Sequence, residues 1–380
     1  MRTGTSVYLD LVRFLAALTV FGSHYGTRHF TGGFLYQLTS YGAEAVDVFF
    51  VLSGFVIGCA TGSRERDARS YAVNRTARLW SVALPALLLT LALDTMGGAL
   101  RPDMYTTALL PHYSPDFAVW RYAVSALFLH QTWFLTVTPG TDWPYWSLGF
   151  EVWYYVIFGI ALFAPGRFRV AATLLAAVLA GPRILAMFPL WLAGYACYRL
   201  TRDGILSVGL GIVCAAAPVA GWIGYQVWAM RHEGLHGLAP EVFGRPELLQ
   251  DYVVGALFAI HLIGICYLSD WIGRLLRPFV RPIRWLAGGT FSLYLAHYPI
   301  MQFLLTVMPW PRDTAASRIM LVVLTLPAVF LFAEVAERRK EAWRRAIRRV
   351  WPPTANDAAA ALAGPFETVV AAGKSPEHTR

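Results

Sequence analysis

Charged residues are scarce in this sequence. Only 14% of its 380 residues are Asp, Glu, Lys or Arg, against about 25% in typical soluble domains. Hydrophobic residues make up 57% of the chain, and a soluble fold could not keep so much apolar surface away from water. The low charge therefore excludes an ordinary water-soluble protein and predicts one that lies in a membrane.

Cysteine is also rare, and the placement of the few cysteines excludes a metal-binding motif. Cys59, Cys197, Cys214 and Cys266 stand singly in apolar stretches, without C-x-x-C spacing or a nearby histidine. We expect them to pack in the core. A basic region followed by a small-residue cleavage site is missing near the N-terminus, so we expect a retained first helix and no signal peptide.

Long apolar runs are what the chain has in abundance. A helix needs about 20 mainly apolar residues to cross a bilayer, and ten runs approach or reach that length. We therefore expect an all-α polytopic membrane bundle of about ten helices. The predicted spans are residues 7–25, 44–60, 78–94, 145–164, 168–187, 188–200, 205–229, 249–270, 285–308 and 317–336.

The basic residues predict which way the bundle faces. The formal net charge is +9, but the arginines and lysines cluster between apolar runs, which is typical of cytoplasmic loops and not of nucleic-acid binding. With ten spans, most of them fall on the cytoplasmic side together with both termini. Counting residues 119–135 as an eleventh span would reverse the later loops, so we expect a re-entrant or interfacial segment there.

The composition changes after the last span. We expect a transmembrane domain over residues 1–336 and a basic amphipathic segment over 337–351, suited to an anionic cytoplasmic leaflet. Residues 352–380 mix alanine, proline and polar residues and are predicted to be a disordered tail. The sequence shows no internal repeat and no second, soluble domain.

Two ionisable residues lie on one face of the first span. Arg13 and His24 are eleven residues apart, almost three helical turns, which separates them by roughly 16 Å along the axis. Ionisable groups inside a membrane are costly and usually functional, so both are predicted site residues. The alternative is that Arg13 pairs with Asp10 for packing and His24 lies at the interface.

The second span opens with two carboxylates on one face, Glu44 and Asp47. Either could orient His24 as a proton acceptor. Helix capping is the alternative for Glu44, and Asp47, which lies deeper, is a predicted site residue. Ser53 and Gly54, further along the same helix, are expected to allow close helix packing.

Arg75 and Arg78 occur as N-R-T-A-R-L-W at the inner end of the third span. Guanidinium groups one helical turn apart can clamp phosphates, although they could equally be positive-inside anchors.

Two later spans carry ionisable residues as well. W-S-L-G-F-E places Ser147 and Glu151 on one helix face, and an intramembrane glutamate indicates a site. F-S-L-Y-L-A-H-Y-P places His297 in the middle of its span, beside a predicted kink at Pro299. His261 lies in a less distinctive sequence pattern and is expected to be a core residue.

These five patterns together resemble the acyltransferase family 3 membrane proteins, which include bacterial O-acetyltransferases of surface polysaccharides. The patterns are R-x10-H from Arg13, D-V-F-F-V-L-S-G-F from Asp47, R-x-x-R from Arg75, W-S-L-G-F-E and F-S-L-Y-L-A-H-Y-P. They occur in the family's order and spacing over about residues 6–336. Gly149 and Phe150 depart from the family pattern, and we expect no hydrolase-like domain of the kind that its members often carry.

The resemblance implies transfer of an acyl group, usually acetyl, from cytoplasmic acyl-CoA to a hydroxyl of a glycan or lipid-linked saccharide. It implies a location in the bacterial inner membrane among lipids, without a metal. Arg13 and His24 would be the essential pair, and Arg75 and Arg78 would hold the donor. A thioester is already activated, so transfer needs only a base and a partner for the oxyanion. His24 suits the base, and the sequence has no G-x-S-x-G motif for a covalent intermediate.

Two other functions fit the composition. In a proton-coupled transporter or flippase, Arg13, His24, Asp47, Glu151 and His297 would form a proton relay, but the inverted repeats common in transporters are missing. A membrane scaffold or regulator with the same fold would not need to retain the first-helix pair and the arginine pair. Stabilisation by acetyl-CoA would distinguish the enzyme from both.

Overall fold

The computed structural model describes residues 3–202, 207–232 and 247–352, and these residues form helices and loops without any strand. The α-helices are α1 (Thr3–Tyr25), α2 (Arg28–Thr31), α3 (Tyr41–Thr61), α4 (Ala68–Leu100), α5 (Ala118–Ala126), α6 (Trp146–Phe163), α7 (Gly166–Ala180), α8 (Pro182–Arg202), α9 (Val208–His232), α10 (Leu248–Tyr267), α11 (Ser269–Leu276), α12 (Val280–Ala287), α13 (Thr290–Val307), α14 (Ala315–Val335) and α15 (Lys340–Val350). Short 3₁₀ helices occupy Tyr36–Ser40, Pro102–Met104, Trp143–Tyr145, Arg277–Phe279 and Glu337–Arg339.

Within the described residues, eight helical segments are long and apolar enough to cross a membrane. They contain α1, α3, α4, α6, α8, α9, α10 and α14. The all-α polytopic membrane bundle predicted from the sequence is confirmed. The two remaining predicted spans correspond to α7, which has only 15 residues, and α13, whose 18 residues include His297 and Gln302.

Hydrogen bonds at its two ends show that α13 runs from one side of the bundle to the other. We call the side that carries α12 and α15 the basic side. Near the start of α13, the Ser292 amide donates to Glu337 at the foot of α15, at 3.0 Å. Near its end, the Gln302 amide donates to the carbonyl of Met104, in the loop that follows α4 on the opposite side, at 2.8 Å.

The boundary between α7 and α8 lies earlier than predicted. The sequence placed it near residue 187, but α7 ends at Ala180 and the chain turns at Gly181 with φ +86°. A Cβ at Gly181 would lie 2.6 Å from the backbone nitrogen of Trp133. Both the positive φ and the close approach require glycine, so the turn is fixed by a tertiary contact that hydropathy does not register.

Two further helix boundaries differ from the prediction. α4 begins at Ala68 instead of residue 78, because Asp67 caps it by accepting a hydrogen bond from the Ser70 amide at 2.7 Å. Arg75 and Arg78 therefore lie inside the helix. At the other end of the chain, Trp285 belongs to the separate short helix α12 and not to α13.

Residues 119–135 do not form a spanning helix. Only α5, with nine residues, is helical there, and nine residues extend roughly 14 Å, about half of the hydrocarbon thickness. The short helix agrees with the prediction of an interfacial or re-entrant segment.

The predicted amphipathic segment 337–351 consists of a 3₁₀ turn and α15, and it is attached to the bundle. Arg338 donates to the carbonyl of Trp285 at 2.9 Å, and Nε of Arg69 donates to the carbonyl of Trp351 at 3.2 Å. The segment therefore packs on protein as well as facing outward. Of the predicted disordered tail, residues 353–380 lie outside the described residues.

The close crossing of α3 and α8 positions one wall of the site. A Cβ at Gly54 would lie 1.9 Å from the carbonyl oxygen of Trp191, and one at Gly194 equally close to that of Val51. Only glycine allows this backbone contact, which confirms the packing role predicted for Gly54.

Candidate active site

Two cavities inside the bundle contain most of the predicted site residues. The inner cavity, about 50 Å³, lies toward the basic side, and the outer cavity, about 850 Å³, lies toward the opposite side. Val46 on α3 and Tyr294 on α13 line both of them. The two cavities therefore meet at these two side chains.

The inner cavity brings four predicted site residues together. Arg13 from α1, Arg75 and Arg78 from α4 and Glu151 from α6 all line it. They are separated by up to 138 positions in sequence, so their convergence is a property of the fold. Positive charge dominates this lining, because three guanidinium groups face one carboxylate.

Arg75 and Arg78 differ in their partners. Arg75 donates to Glu65 at 2.5 Å in a pair whose side chains are 12% and 5% exposed. Arg78 lies 5.0 Å from the ring centroid of Phe291, and no carboxylate of the described residues lies within ion-pair distance of it. Arg78 is therefore the guanidinium most available to an anionic ligand.

Arg13 makes the contact with Asp10 that the sequence predicts, but the pair is loose. The nitrogen and oxygen are 3.4 Å apart, longer than a strong charge-assisted hydrogen bond. Arg13 thus retains donors for the inner cavity.

Glu151 is held by two hydroxyl groups. Ser53 donates to Oε1 of Glu151 at 2.8 Å, and Tyr155 donates to the same oxygen. Ser53 also accepts a hydrogen bond from the indole of Trp191 at 3.2 Å. Ser53 was expected only to permit packing, so its place in this network is a difference from the sequence-based prediction.

Tyr155 was missed in the sequence, although a signal for it exists. Ser147, Glu151 and Tyr155 follow one another at intervals of four residues, so they form one stripe of α6. All three line the inner cavity. Continuing the Ser147–Glu151 pair by one turn would have found Tyr155.

The outer cavity contains His24 and several aromatic rings. Trp143 and Trp146 line it, with His112 stacked on Trp143. Burial lowers the pKa of His112 to about 4, so its ring is neutral at pH 7. Polar groups that also line this cavity are Ser23, Thr27, Thr39, Thr107, Ser114, Arg121, Gln131, Thr136, Thr138, Arg183 and Glu247. A large cavity with aromatic walls and several polar groups suits a polar organic ligand.

The group that orients His24 is His297. Nδ1 of His24 lies 2.9 Å from Nε2 of His297, and Nδ1 of His297 lies 2.7 Å from the carbonyl oxygen of Leu293. A carbonyl only accepts, so Nδ1 of His297 carries a proton and Nε2 of the neutral ring accepts one from Nδ1 of His24. Nε2 of His24 is then unprotonated, and no described residue hydrogen-bonds it.

The two carboxylates predicted as alternatives do not orient His24. Glu44 accepts hydrogen bonds from Trp222 at 2.8 Å and Gln226 at 2.7 Å, which ties α3 to α9. Asp47 is fully buried and lines neither cavity. The carboxylate prediction failed at this point because the partner of His24 comes from a helix 273 positions away.

Tyr294 stands between the two cavities. Its hydroxyl group lies 2.7 Å from Oγ of Ser147, and its ring packs edge-on against Phe49, with centroids 5.6 Å apart. A tyrosine held from two sides therefore forms part of the wall that the inner and outer cavities share.

His261, expected to be a core residue, bonds within the bundle. Nε2 lies 2.5 Å from the Tyr8 hydroxyl and Nδ1 lies 2.7 Å from the carbonyl of Ala215. Among residues 3–202, 207–232 and 247–352, no group of three or more His, Cys, Asp or Glu side chains is arranged to hold a metal ion.

The loop before α6 is anchored by two acidic residues that were not among the predicted site residues. Asp94 accepts hydrogen bonds from the amide and hydroxyl of Thr141, at 2.8 and 2.7 Å. Asp142 follows and is fully buried. Burial, reinforced by the nearby carboxyl of Asp94, raises the pKa of Asp142 well above its usual value, and the Tyr145 amide opposes part of the shift. This anchoring places Trp143 in the outer cavity.

Asp142→Asn is expected to stabilise the protein increasingly as the pH rises. The pKa of Asp142 is higher in the folded than in the unfolded state, so stability is lost as the pH rises from about 4 through the folded pKa. Asparagine keeps the shape without a titrating proton. Thermal unfolding of both proteins between about pH 4 and 8 should show a melting-temperature gap that widens with pH. A gap that stays constant would contradict the raised pKa.

Comparison with known protein families gives a match over most of the chain. A family model described as an acyltransferase domain matches residues 6–334. The acyltransferase MdmB of Streptomyces mycarofaciens is 27% identical over 328 residues, covering 77% of this chain and 78% of the relative. No solved structure gives a significant match.

Two further relatives are named for cell-envelope polymers. The putative peptidoglycan O-acetyltransferase YrhL of Bacillus subtilis is 26% identical over 343 residues, 77% of this chain and 48% of the relative, so the chain spans about half of that protein. The exopolysaccharide production protein ExoZ of Rhizobium meliloti is 25% identical over 274 residues, 67% of this chain and 75% of the relative.

Proposed function

Because the chain belongs to the acyltransferase domain family and is a membrane-bound acyltransferase, we propose that it moves an acyl group from cytoplasmic acyl-CoA to a hydroxyl of a glycan or lipid-linked saccharide. The observation that carries the proposal is the meeting of two cavities at Val46 and Tyr294. One cavity offers guanidinium groups to an anionic donor, and the other offers a histidine nitrogen to an acceptor.

The donor enters the inner cavity from the basic side, which we place in the cytoplasm. Arg78, assisted by Arg75, holds phosphate groups of CoA, because guanidinium groups bind phosphate with several charge-assisted hydrogen bonds. The flexible pantetheine arm then extends along the cavity toward Tyr294. A long arm is needed because the donor's phosphates lie on the basic side, whereas His24 lies roughly 16 Å along α1 from Arg13.

The acceptor lies in the outer cavity with its hydroxyl group at Nε2 of His24. His24 takes the hydroxyl proton, and the oxygen attacks the thioester carbonyl. The tetrahedral oxyanion collapses to the ester and expels the CoA thiolate, which takes up the proton that His24 accepted from the hydroxyl. His297 holds the tautomer of His24 that this step requires, and an imidazolium formed on His24 can share its charge with His297.

Arg13 and Glu151 act along the path of the donor through the inner cavity. Arg13 supplies positive charge to the inner cavity, and because it lies roughly 16 Å along α1 from His24 its proposed role is to attract and hold the anionic donor on its way to the acceptor. Glu151 fixes Ser53 and Tyr155 and thereby shapes the wall beside the donor. Asp47 supports the same region from within α3.

The acceptor class rests on the relatives and on the cavity. Two relatives are named for peptidoglycan O-acetylation and exopolysaccharide production. An outer cavity of about 850 Å³ has room for a saccharide unit, and its tryptophans offer ring faces to the apolar faces of a sugar. Acetyl is the proposed acyl group.

Residues 1–336 form the catalytic domain, and both termini lie in the cytoplasm of a bacterium whose inner membrane holds the protein. The disordered character of residues 352–380 remains a prediction.

An acetyl-transfer assay tests the proposal. The purified protein in nonionic detergent is given radiolabelled acetyl-CoA with peptidoglycan fragments or an exopolysaccharide repeating unit as acceptor. We expect label on the saccharide that mild base releases, as it does for O-acetyl esters. A folded protein that neither binds nor consumes acetyl-CoA would exclude the enzyme, and proton-coupled transport would be measured next.

A further inference from the structure

The tail helix α15 carries basic residues that the proposed reaction leaves without a role. The tail segment (residues 337–351) is fixed to the bundle at both ends. At its start Glu337 accepts a hydrogen bond from the amide of Ser292 at 3.0 Å, and at its end Trp351 accepts one from Arg69 at 3.2 Å. α15 is therefore held as a bridge between α13 and α4.

The two attachment points flank the inner cavity. Ser292 directly follows Thr290 and Phe291, which line the cavity from α13. Arg69 lies on α4 six residues, somewhat less than two turns, before Arg75, which lines the cavity from α4. The bridge formed by α15 thus crosses the basic side of the bundle next to the mouth of the inner cavity.

α15 has two basic faces in different surroundings. Lys340 and Arg344 lie four residues apart on one face, and Lys340 is within electrostatic range of Arg78. Arg345 and Arg349 are also four residues apart, on a face turned away by roughly 140°, and both are exposed. The first face is therefore the one that carries a residue in electrostatic range of Arg78, which lines the inner cavity.

The face with Lys340 and Arg344 carries positive charge that is only weakly neutralised by its ion pair. Glu341 pairs with Arg344 at 2.8 Å, but that carboxylate is 61% exposed, so the pair is weak. Nε of Arg344 is buried without a partner. Arg75 is partly neutralised by Glu65, so a ligand with several phosphates would need more cations than Arg75 and Arg78 provide.

We propose that Lys340 and Arg344 extend the Arg75–Arg78 pair and bind phosphate groups of the CoA donor, an assignment that rests on the proposed function. CoA carries a diphosphate and a ribose 3′-phosphate, so its nucleotide end can reach both pairs at once. The tail segment is then part of the donor site, and its exposed face remains for the anionic leaflet.

The test compares two charge-matched double variants of the full chain in nonionic detergent without anionic lipid. K340Q/R344Q removes two charges from the face near the cavity, and R345Q/R349Q removes two from the exposed face. Calorimetry gives the Kd for CoA. The KM is measured with acetyl-CoA and with acetyl-pantetheine, which lacks the nucleotide phosphates.

K340Q/R344Q is expected to raise the Kd for CoA and the KM for acetyl-CoA by about tenfold or more, with the KM for acetyl-pantetheine unchanged. R345Q/R349Q should alter none of these values. The proposal is overturned if K340Q/R344Q binds CoA normally, if it loses both donors equally, or if the two variants behave alike. If the wild type binds CoA through this face but acetylates no hydroxyl, the proposed function fails while the phosphate site stands.

Discussion

Replacing His24 with alanine is expected to lower kcat for acetyl transfer by about 10³-fold, the middle of the range for a general base. Nε2 of His24 is the nitrogen that the hydrogen bonds to His297 and Leu293 leave unprotonated. The phosphate-binding arginines line the other cavity, so the Kd for CoA should not change. Steady-state kinetics and calorimetry on the same preparation measure both quantities.

His29 offers a matched control for this substitution. It lies five positions from His24 and bonds Gln302 at 2.6 Å, but it lines neither cavity. His29→Asn should retain normal kcat. An active His24→Ala protein would exclude His24 as the base.

Two substitutions of His297, the hydrogen-bond partner of His24, distinguish a hydrogen-bonding role for His297 from a packing role. In His297→Gln the amide oxygen can still accept the proton of Nδ1 of His24, whereas leucine in His297→Leu cannot accept it. We therefore expect glutamine to restore much of the kcat that leucine loses. Equal losses in the two variants would mean that His297 contributes volume and not a hydrogen bond.

What could be predicted from the sequence was governed by local periodicity. The eleven-residue spacing of Arg13 and His24 fixes them on one face of any helix, and hydropathy alone identifies spans such as α3 and α14. Arg75 and Arg78 lie within the first third of α4 and not at its end, because the capping by Asp67 extends the helix well beyond its apolar run.

What could not be predicted depends on contacts between distant helices. Nothing near His24 in sequence indicates that His297 and not Glu44 would hydrogen-bond to it, because both are polar residues in other apolar spans. The wall at Tyr294 and the turn at Gly181 likewise exist only where two separate segments touch. Helix periodicity gives the face of a residue but not the helix that this face meets.

Replacing Arg78 with glutamine is expected to weaken CoA binding by about 30- to 100-fold, the value of one or two charge-assisted hydrogen bonds to phosphate. The fold should tolerate this change, because no carboxylate of the described residues lies within ion-pair distance of Arg78. Calorimetry with CoA and thermal unfolding of the same protein check the two expectations.

Arg75→Gln serves as the comparison for Arg78→Gln, because of the two only Arg75 forms a buried ion pair with a described residue. Arg75→Gln leaves Glu65, only 5% exposed, without its ion-pair partner and with only the Asn74 amide still donating to it at 3.0 Å, and breaking a buried ion pair costs about 3–5 kcal/mol. Arg75→Gln should therefore lower the melting temperature, and Arg75→Gln/Glu65→Gln should recover much of it without recovering any CoA affinity. If Arg78→Gln instead unfolds the protein, or binds CoA as the wild type does, the arginine pair anchors the helix and the donor phosphates must be held elsewhere.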